Sequence, residues 1–151
     1  SIIIGNMFSA LKSALRGGPC RVHTSDMRVQ LSESRYVYPD VSVSCDARDY
    51  QGVITLEHAC LAVEVLSTST EAYDRGDKFR HYRTCPSIQE YVLVNTQRPL
   101  VEVFRRVQDF WVLRAFSLGD EVLLSSIDVQ IPVAVLYENV LLPEEDENPS
   151  L

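Results

Sequence analysis

The chain has 151 residues, 46% of them hydrophobic and 23% charged, which is typical of one globular domain. Its formal net charge is −7, so the overall positive charge of many nucleic-acid-binding domains is absent. No apolar run approaches the ~20 residues of a membrane span, and no signal peptide precedes the first apolar segment, so we expect no membrane partner.

The negative charge is concentrated at the carboxyl end of the chain. Residues 138–151 contain five acidic and no basic residues, so the rest of the chain is close to neutral. We therefore expect a single domain over residues 1–142, followed by an acidic, disordered tail over 143–151. Residues 1–35 carry five basic groups against two acidic ones, which leaves room for a local basic surface.

Apolar residues at helical spacing predict a first helix over residues 2–16. Gly17, Gly18 and Pro19 should end it, because glycine adopts the left-handed cap and proline cannot continue a helix. The helix begins at the first residues of the chain, and residue 1 is serine rather than methionine. We therefore expect that the N-terminal part of the domain is missing from this sequence.

Two periodicities alternate along the rest of the chain and predict its architecture. Strand-like segments occur at 21–24, 27–31, 36–45, 61–66, 90–94, 100–107, 110–116 and 122–124. A helix should run from about Thr70 to Thr84, and a short one over 132–138. The strand–helix–strand order over 61–94 favours an α/β (α+β) fold in which helices pack on a mixed β-sheet.

The four cysteines are widely spaced, and none forms a C-x-x-C pair. This pattern argues against a structural zinc site. Two of the cysteines lie in apolar, strand-like segments, where a free thiol behaves as a small hydrophobic group. We therefore expect a reducing, cytoplasmic setting.

Two acidic residues interrupt apolar strands, and each would be costly to bury without a partner. These are Asp40, after Pro39, and Glu64, within the segment Leu61-Ala62-Val63-Glu64-Val65-Leu66. Carboxylates from neighbouring strands suit Mg²⁺ or Mn²⁺, and the backbone carbonyl of Val65 could add a ligand. The alternative is that each acid faces solvent or pairs with an arginine.

Asp74, Lys78 and Tyr82 follow at four-residue spacing, which places them on one face of the predicted helix. Lys78 could then steady a negative charge near Glu64. The simpler interpretations are a surface ion pair between Asp74 and Lys78 and a core position for Tyr82 and Tyr91. His23, His58 and His81 share no ligand spacing, and residues 67–69 more simply cap the helix.

Three segments together resemble a known family: YVYPDVSVSC, LAVEVLSTSTEAYDRGDKFRHYR and IQEYVLV. They are similar to the Uma-type restriction endonuclease family, catalogued as a domain of unknown function, within the PD-(D/E)xK nuclease superfamily. The similarity extends from the opening helix to Ile131 and Pro132. It implies a restriction-endonuclease-like mixed sheet flanked by helices, in which Asp40 and Glu64 bind Mg²⁺ or Mn²⁺.

The superfamily motif has a lysine two residues after the second acid, where this chain has Leu66. The resemblance points to Lys78 as the replacement, since an amine can reach the same place from the next helix. Asp74 and Tyr82 are then candidates to contact the catalytic groups. Family members also begin earlier, with a helical segment that carries a further glutamate.

The resemblance implies a metal-dependent endonuclease that hydrolyses DNA, with Asp40, Glu64 and Lys78 as catalytic residues. The alternatives are a catalytically inactive nuclease-fold module that binds nucleic acid or protein, and an enzyme that acts on RNA or another phosphoester. Cleavage of both strands usually needs two subunits, so a homodimer is expected. The hairpin 100–116, with Trp111 and Phe116, is a candidate dimer face, although core packing is the simpler use of these aromatics.

Overall fold

The computed structural model describes residues 1–143, so most of the expected tail, residues 144–151, lies outside the described residues. No helix within 1–143 is long and apolar enough to cross a membrane. The elements in chain order are α1 (Ile2–Ala14), β1 (Arg21–Thr24), β2 (Arg28–Ser32), β3 (Arg35–Val37), β4 (Val41–Ser44), β5 (Thr55–Leu56), β6 (Leu61–Val65), α2 (Glu71–Arg75), α3 (Asp77–Arg83), β7 (Glu90–Val94), β8 (Leu100–Val107), β9 (Phe110–Ser117), β10 (Glu121–Leu124), β11 (Val129–Pro132) and α4 (Val133–Leu136).

A six-stranded mixed sheet forms the centre of the molecule, in the order β1-β4-β6-β7-β8-β9. β6 and β7 are parallel because the chain crosses over through α2 and α3 between them, whereas the other neighbours are antiparallel. The expected mixed sheet flanked by helices is therefore confirmed. The hairpin β8–β9 also agrees closely with its predicted bounds.

Each face of the sheet packs on its own hydrophobic cluster, because side chains alternate between the faces along a strand. Leu61 and Val63 of β6 point to the face covered by α1 and α4. Ala62 points to the opposite face, where Phe79, Tyr82 and Tyr91 form an aromatic cluster beneath α3. The central strands are thus buried on both sides, which explains their nearly continuous apolar sequences.

Two small sheets complete the fold. One has the order β3-β2-β5, and the other is the β10–β11 hairpin. Neither β5 nor β11 was expected from the sequence: β5 has only two residues, and β11 ends with Pro132, the residue at which a helix was predicted to begin. A strand of two residues carries too little alternation to be recognised.

The single helix expected from Thr70 to about Thr84 is wrong, since α2 and α3 are separate. The break falls at Gly76, whose φ of −99° and ψ of −99° are not helical. A Cβ atom at this position would come within 3.1 Å of the Ala72 carbonyl oxygen, which explains why a glycine is placed here. Asp74 therefore precedes the break, while Lys78 and Tyr82 follow it.

The cysteines also differ from the expectation. A reducing setting implies free thiols, whereas the structure joins Cys20 and Cys45 in a disulfide. Arg21 of β1 pairs with Ser44 of β4, so the residue before β1 meets the residue after β4. This proximity depends on strand register and could not be deduced from sequence spacing. Cys60 and Cys85 are free.

Candidate active site

Strand pairing brings the two predicted carboxylates together. Val41 of β4 pairs with Val63 of β6 in an antiparallel ladder, so Asp40 lies across from Glu64. The Asp40 side chain is fixed at this place because its Oδ2 accepts a hydrogen bond from the Val65 amide at 2.7 Å. The acid that ends the Pro39-Asp40 turn is thereby attached to the neighbouring strand.

Glu64 projects from β6 towards α3 and is only 4% exposed. Its Oε1 atom lies 2.8 Å from the Lys78 ammonium. The same oxygen accepts a hydrogen bond of 3.3 Å from the Tyr82 hydroxyl. An ammonium from α3 therefore reaches the carboxylate on the strand, as the predicted replacement of the strand lysine requires.

Asp74 is the third acid of the group, and its Oδ1 atom lies 3.8 Å from Lys78 Nζ. This pair does not resemble an ordinary surface ion pair, because the Lys78 side chain is 16% exposed and that of Asp74 only 5%. We refer to Asp40, Glu64, Asp74 and Lys78 as the carboxylate cluster.

Two buried tyrosines support the carboxylate cluster from the core. Tyr82 and Tyr91 are fully buried, with ring centroids 4.7 Å apart, so the interpretation of both as core aromatics is correct for their rings. Their hydroxyls are also used: the Tyr91 hydroxyl donates to the Asp74 backbone carbonyl at 2.8 Å. The sequence reasoning missed this contact, although the alternation of β7 places Tyr91 and Leu93 on the face beneath α3.

The carboxylate cluster holds three acids and one cation in a largely buried place, so its negative charge is under-compensated. Burial raises the pKa of Glu64 to about 7, although Lys78 opposes the shift, and repulsion from Asp40 and Asp74 adds to it. Burial likewise raises the pKa of Asp74. Burial, and then the charge of Glu64, raises the pKa of Tyr82, which keeps this phenol a hydrogen-bond donor.

The arrangement fits a small, hard divalent cation. Within residues 1–143 no group of three or more His, Cys, Asp or Glu side chains could hold a metal ion alone. Mg²⁺, however, usually binds through one or two carboxylates and keeps several waters. Asp40 and Glu64 supply two carboxylates. The Val65 amide donates to Asp40, which places Val65 beside the carboxylate, and the Val65 carbonyl stays a predicted third ligand.

The other polar candidates take no part in the carboxylate cluster. Among the described residues, His23, His58 and His81 make no hydrogen bond or ion pair with its members. Ser67 and Thr70 bond to each other in the turn before α2, with 2.8 Å between their hydroxyl oxygens. These residues therefore shape the turn.

A family model described as "Putative restriction endonuclease", Uma2, matches residues 1–134. The chain belongs to the Uma2 family. A relative from Synechocystis sp., "Uncharacterized protein slr1290", is 37% identical over 142 residues, covering 93% of this chain and 75% of the relative. A second, "Uncharacterized protein sll1609" from the same organism, is 38% identical over 96 residues, covering 61% of this chain and 54% of the relative.

The fold of this Uma2 protein also occurs in a crystal structure of "a putative nuclease belonging to DUF820" from Anabaena variabilis. The two structures superpose with a TM-score of 0.75, covering 93% of this chain and 80% of the other. Their sequences are only 16% identical, so the likeness establishes the fold. Together, the family match and the fold confirm the resemblance to a restriction-endonuclease-like protein.

Proposed function

We propose that this Uma2 protein is a metal-dependent endonuclease that hydrolyses phosphodiester bonds in DNA. The observation that carries the proposal is the meeting of Asp40 and Glu64, from two adjacent strands, with the ammonium of Lys78 at 2.8 Å from Glu64. Family membership supports the reaction class, because the family model is described as "Putative restriction endonuclease". The under-compensated negative charge supports the need for a cation.

Asp40, Glu64 and the Val65 carbonyl would hold Mg²⁺ or Mn²⁺. Such an ion, when bound, supplies positive charge to a phosphodiester and favours the ionisation of water. Glu64 must be ionised to bind it, so its proton, held with a pKa of about 7, is released on binding.

Lys78 is the cationic catalyst of the proposal. Its three N–H groups can donate to Glu64 and, at the same time, to a water or a phosphate oxygen. An ammonium placed there stabilises the negative charge that develops on the phosphate during attack. Asp74 and Tyr82 hold Lys78 and Glu64 in position, through the 3.8 Å and 3.3 Å contacts respectively.

Plasmid nicking with Mg²⁺ or Mn²⁺ tests the proposal. Asp40→Asn should reduce nicking by about 10²-fold or more, because a carboxamide is a poor ligand for a hard cation. Asp128→Asn is the matched control, since Asp128 is an exposed acid in the turn between β10 and β11, away from the proposed metal ligands. It should leave nicking unchanged, and EDTA should stop nicking by every variant.

Equal nicking by wild type and Asp40→Asn would reject the assignment and indicate a contaminating nuclease. Absence of cleavage of DNA, with a folded protein and either metal, would favour the inactive nuclease-fold module or another phosphoester substrate. Crystals soaked in Mn²⁺ give an independent answer, since anomalous density should lie between Asp40 and Glu64 in wild type only.

The proposed enzyme acts as a homodimer through the β8–β9 hairpin. β9 is an edge strand of the main sheet, and Phe110 and Leu113 are 69% and 49% exposed. Trp111 and Phe116 instead pack inward, with Trp111 5.4 Å from the Phe79 ring, so they are less suited to the interface than their exposed neighbours. Sedimentation equilibrium should give a dimer for wild type and a monomer for Leu113→Lys. A wild-type monomer at micromolar concentration would contradict this arrangement.

A further inference from the structure

A cleft of about 590 Å³ lies where the end of α1 meets β1, at the edge of the main sheet. We refer to it as the edge cleft. Half of its lining residues have positive or polar side chains, namely Lys12, Arg16, Arg21, His23 and Tyr50, and the rest are Gly17, Gly18, Leu15, Cys20 and Val22. Among residues 1–143, no acidic residue lines it. Its volume is in the range of clefts that hold small ligands.

The edge cleft has a local excess of positive charge in a protein whose net charge is −7. Lys12, Arg16 and Arg21 form no salt bridge with any residue in 1–143, whereas other cations of the chain do pair with carboxylates. The C-terminus of α1 contributes only about half a negative charge. The charges of Asp26 and Asp49 act on His23, but these carboxylates accept hydrogen bonds from Thr24 and Ser44. The three cations are therefore without a paired carboxylate among the described residues.

Several lining groups are already held in place. The Arg21 guanidinium lies 4.3 Å from the centre of the Tyr50 ring and donates to the Gly18 carbonyl at 2.9 Å. The Tyr50 hydroxyl donates to the Pro19 carbonyl at 2.6 Å. A fixed guanidinium loses less conformational entropy when it binds a ligand than a freely rotating one.

His23 adds an unsatisfied polar atom to the same cleft. Its Nε2 atom is buried and has no hydrogen-bond partner among the described residues. A buried ring nitrogen without a partner is costly. Because Nε2 is buried, an anion in the cleft would reach it only after the ring turned, so the three cations carry the argument for anion binding.

The edge cleft is separate from the carboxylate cluster. Arg21 pairs with Ser44 at one end of β4. Asp40 precedes Val41 at the other end of this strand, where Val41 pairs with Thr24. Four residues of a strand span about 13 Å. An anion in the cleft would therefore not compete with a cation between Asp40 and Glu64.

We propose that the edge cleft binds a phosphate group, carried either by a nucleic-acid strand or by a free phosphate ester. The planar guanidinium groups of Arg16 and Arg21 match the oxygens of phosphate with paired hydrogen bonds. Lys12 adds a mobile point charge, and none of the acidic residues within 1–143 lines the cleft. The proposal does not require catalysis at the carboxylate cluster.

Thermal unfolding with inorganic phosphate tests the proposal, with EDTA present and chloride used to equalise ionic strength. Phosphate should raise the Tm of wild type by about 5 °C when its concentration far exceeds Kd. Lys12→Gln/Arg16→Gln should reduce this shift to about a fifth or less, since both side chains are exposed and contribute charge without packing. Arg114→Gln, an exposed arginine on β9, is the matched control and should keep the full shift.

Fluorescence anisotropy with a labelled single-stranded oligonucleotide distinguishes the two sources of phosphate. If the double variant binds the oligonucleotide at least about 10-fold more weakly than wild type, the cleft takes the phosphates of a nucleic-acid strand. If only the response to inorganic phosphate is lost, it takes a free phosphate ester. Equal responses of wild type and the double variant in both measurements would overturn the proposal, as would equal losses in Arg114→Gln.

Discussion

Glu64→Gln should strongly reduce cleavage and, in the absence of metal, make the protein more stable at pH 8. Cleavage should fall by about 10³-fold, because the change removes a proposed metal ligand and the partner of Lys78. Stability should rise, because glutamine resembles the neutral form that burial favours at this position. The pKa of Glu64 is about 7 in the folded protein and 4.5 ordinarily, and this difference corresponds to a gain of at most about 3 kcal/mol in the free energy of unfolding.

The pH dependence of this effect has a definite sign. Between pH 4.5 and 7 the unfolded chain has released the Glu64 proton while the folded protein retains it, so stability falls as pH rises through this window. Below it the penalty is absent, and above it the penalty is complete. Urea unfolding with EDTA at several pH values should therefore show wild type and Glu64→Gln converging at pH 4.5 and separating by pH 8.

Tyr82→Phe is the control, since it removes only the hydroxyl that donates to Glu64 and keeps the carboxylate. It should retain the decline in stability between pH 4.5 and 7. Mn²⁺ should raise the Tm of Tyr82→Phe and of wild type, but not that of Glu64→Gln. If Glu64→Gln is less stable than wild type at pH 8, the surroundings stabilise the ionised carboxylate of Glu64, and the prediction is wrong.

Lys78→Met should destabilise the metal-free protein at pH 8 while strengthening the binding of a divalent cation. The substitution keeps much of the side-chain volume but leaves Glu64 and Asp74 buried without their cation. Breaking a buried pair in this way costs about 3–5 kcal/mol, less where the acids can take up protons. The same loss removes the ammonium that competes with a metal ion, so Mn²⁺ should bind more tightly than to wild type.

Cleavage should nevertheless fall by about 10²–10³-fold in Lys78→Met, because the charge that develops on the phosphate loses its ammonium partner. Stability restored by Mn²⁺ without restored cleavage would separate this catalytic role from a structural one. Arg80→Met is the matched control, since Arg80 is on the same helix but forms an exposed pair with Asp77. Arg80→Met should change neither cleavage nor stability. If Lys78→Met cleaves DNA as fast as wild type, Lys78 has no part in the proposed mechanism.

The sequence predicted the sheet and the candidate site where the relevant signals are local. Pro39-Asp40 and Glu64 stand out because acids rarely interrupt strands this apolar, and the β4–β6 pairing then brings them together. The spacing of Asp74, Lys78 and Tyr82 gave the correct neighbours although the helix is broken, since Gly76 changes the backbone direction without moving Lys78 away from Asp74.

The missed features depend on contacts between residues that are distant in the chain. The Cys20–Cys45 disulfide follows from the register of β1 on β4, which composition does not encode. The bond from the Tyr91 hydroxyl to the Asp74 carbonyl needs the parallel placement of β7 beneath α2. The edge cleft likewise combines the end of α1, β1 and Tyr50, which are separated in the chain. The basic residues of the first 35 positions indicated a local basic surface but not the cleft that they line.

Leu66, two residues after Glu64, is only 2% exposed and packs in the hydrophobic cluster that contains Phe79. A lysine at this position would bring a charge into that apolar layer, at a cost of several kcal/mol unless it found a partner. A single Leu66→Lys change would therefore destabilise the protein. A lysine at this position of the strand could be accommodated only if the side chains packed around Phe79 changed as well.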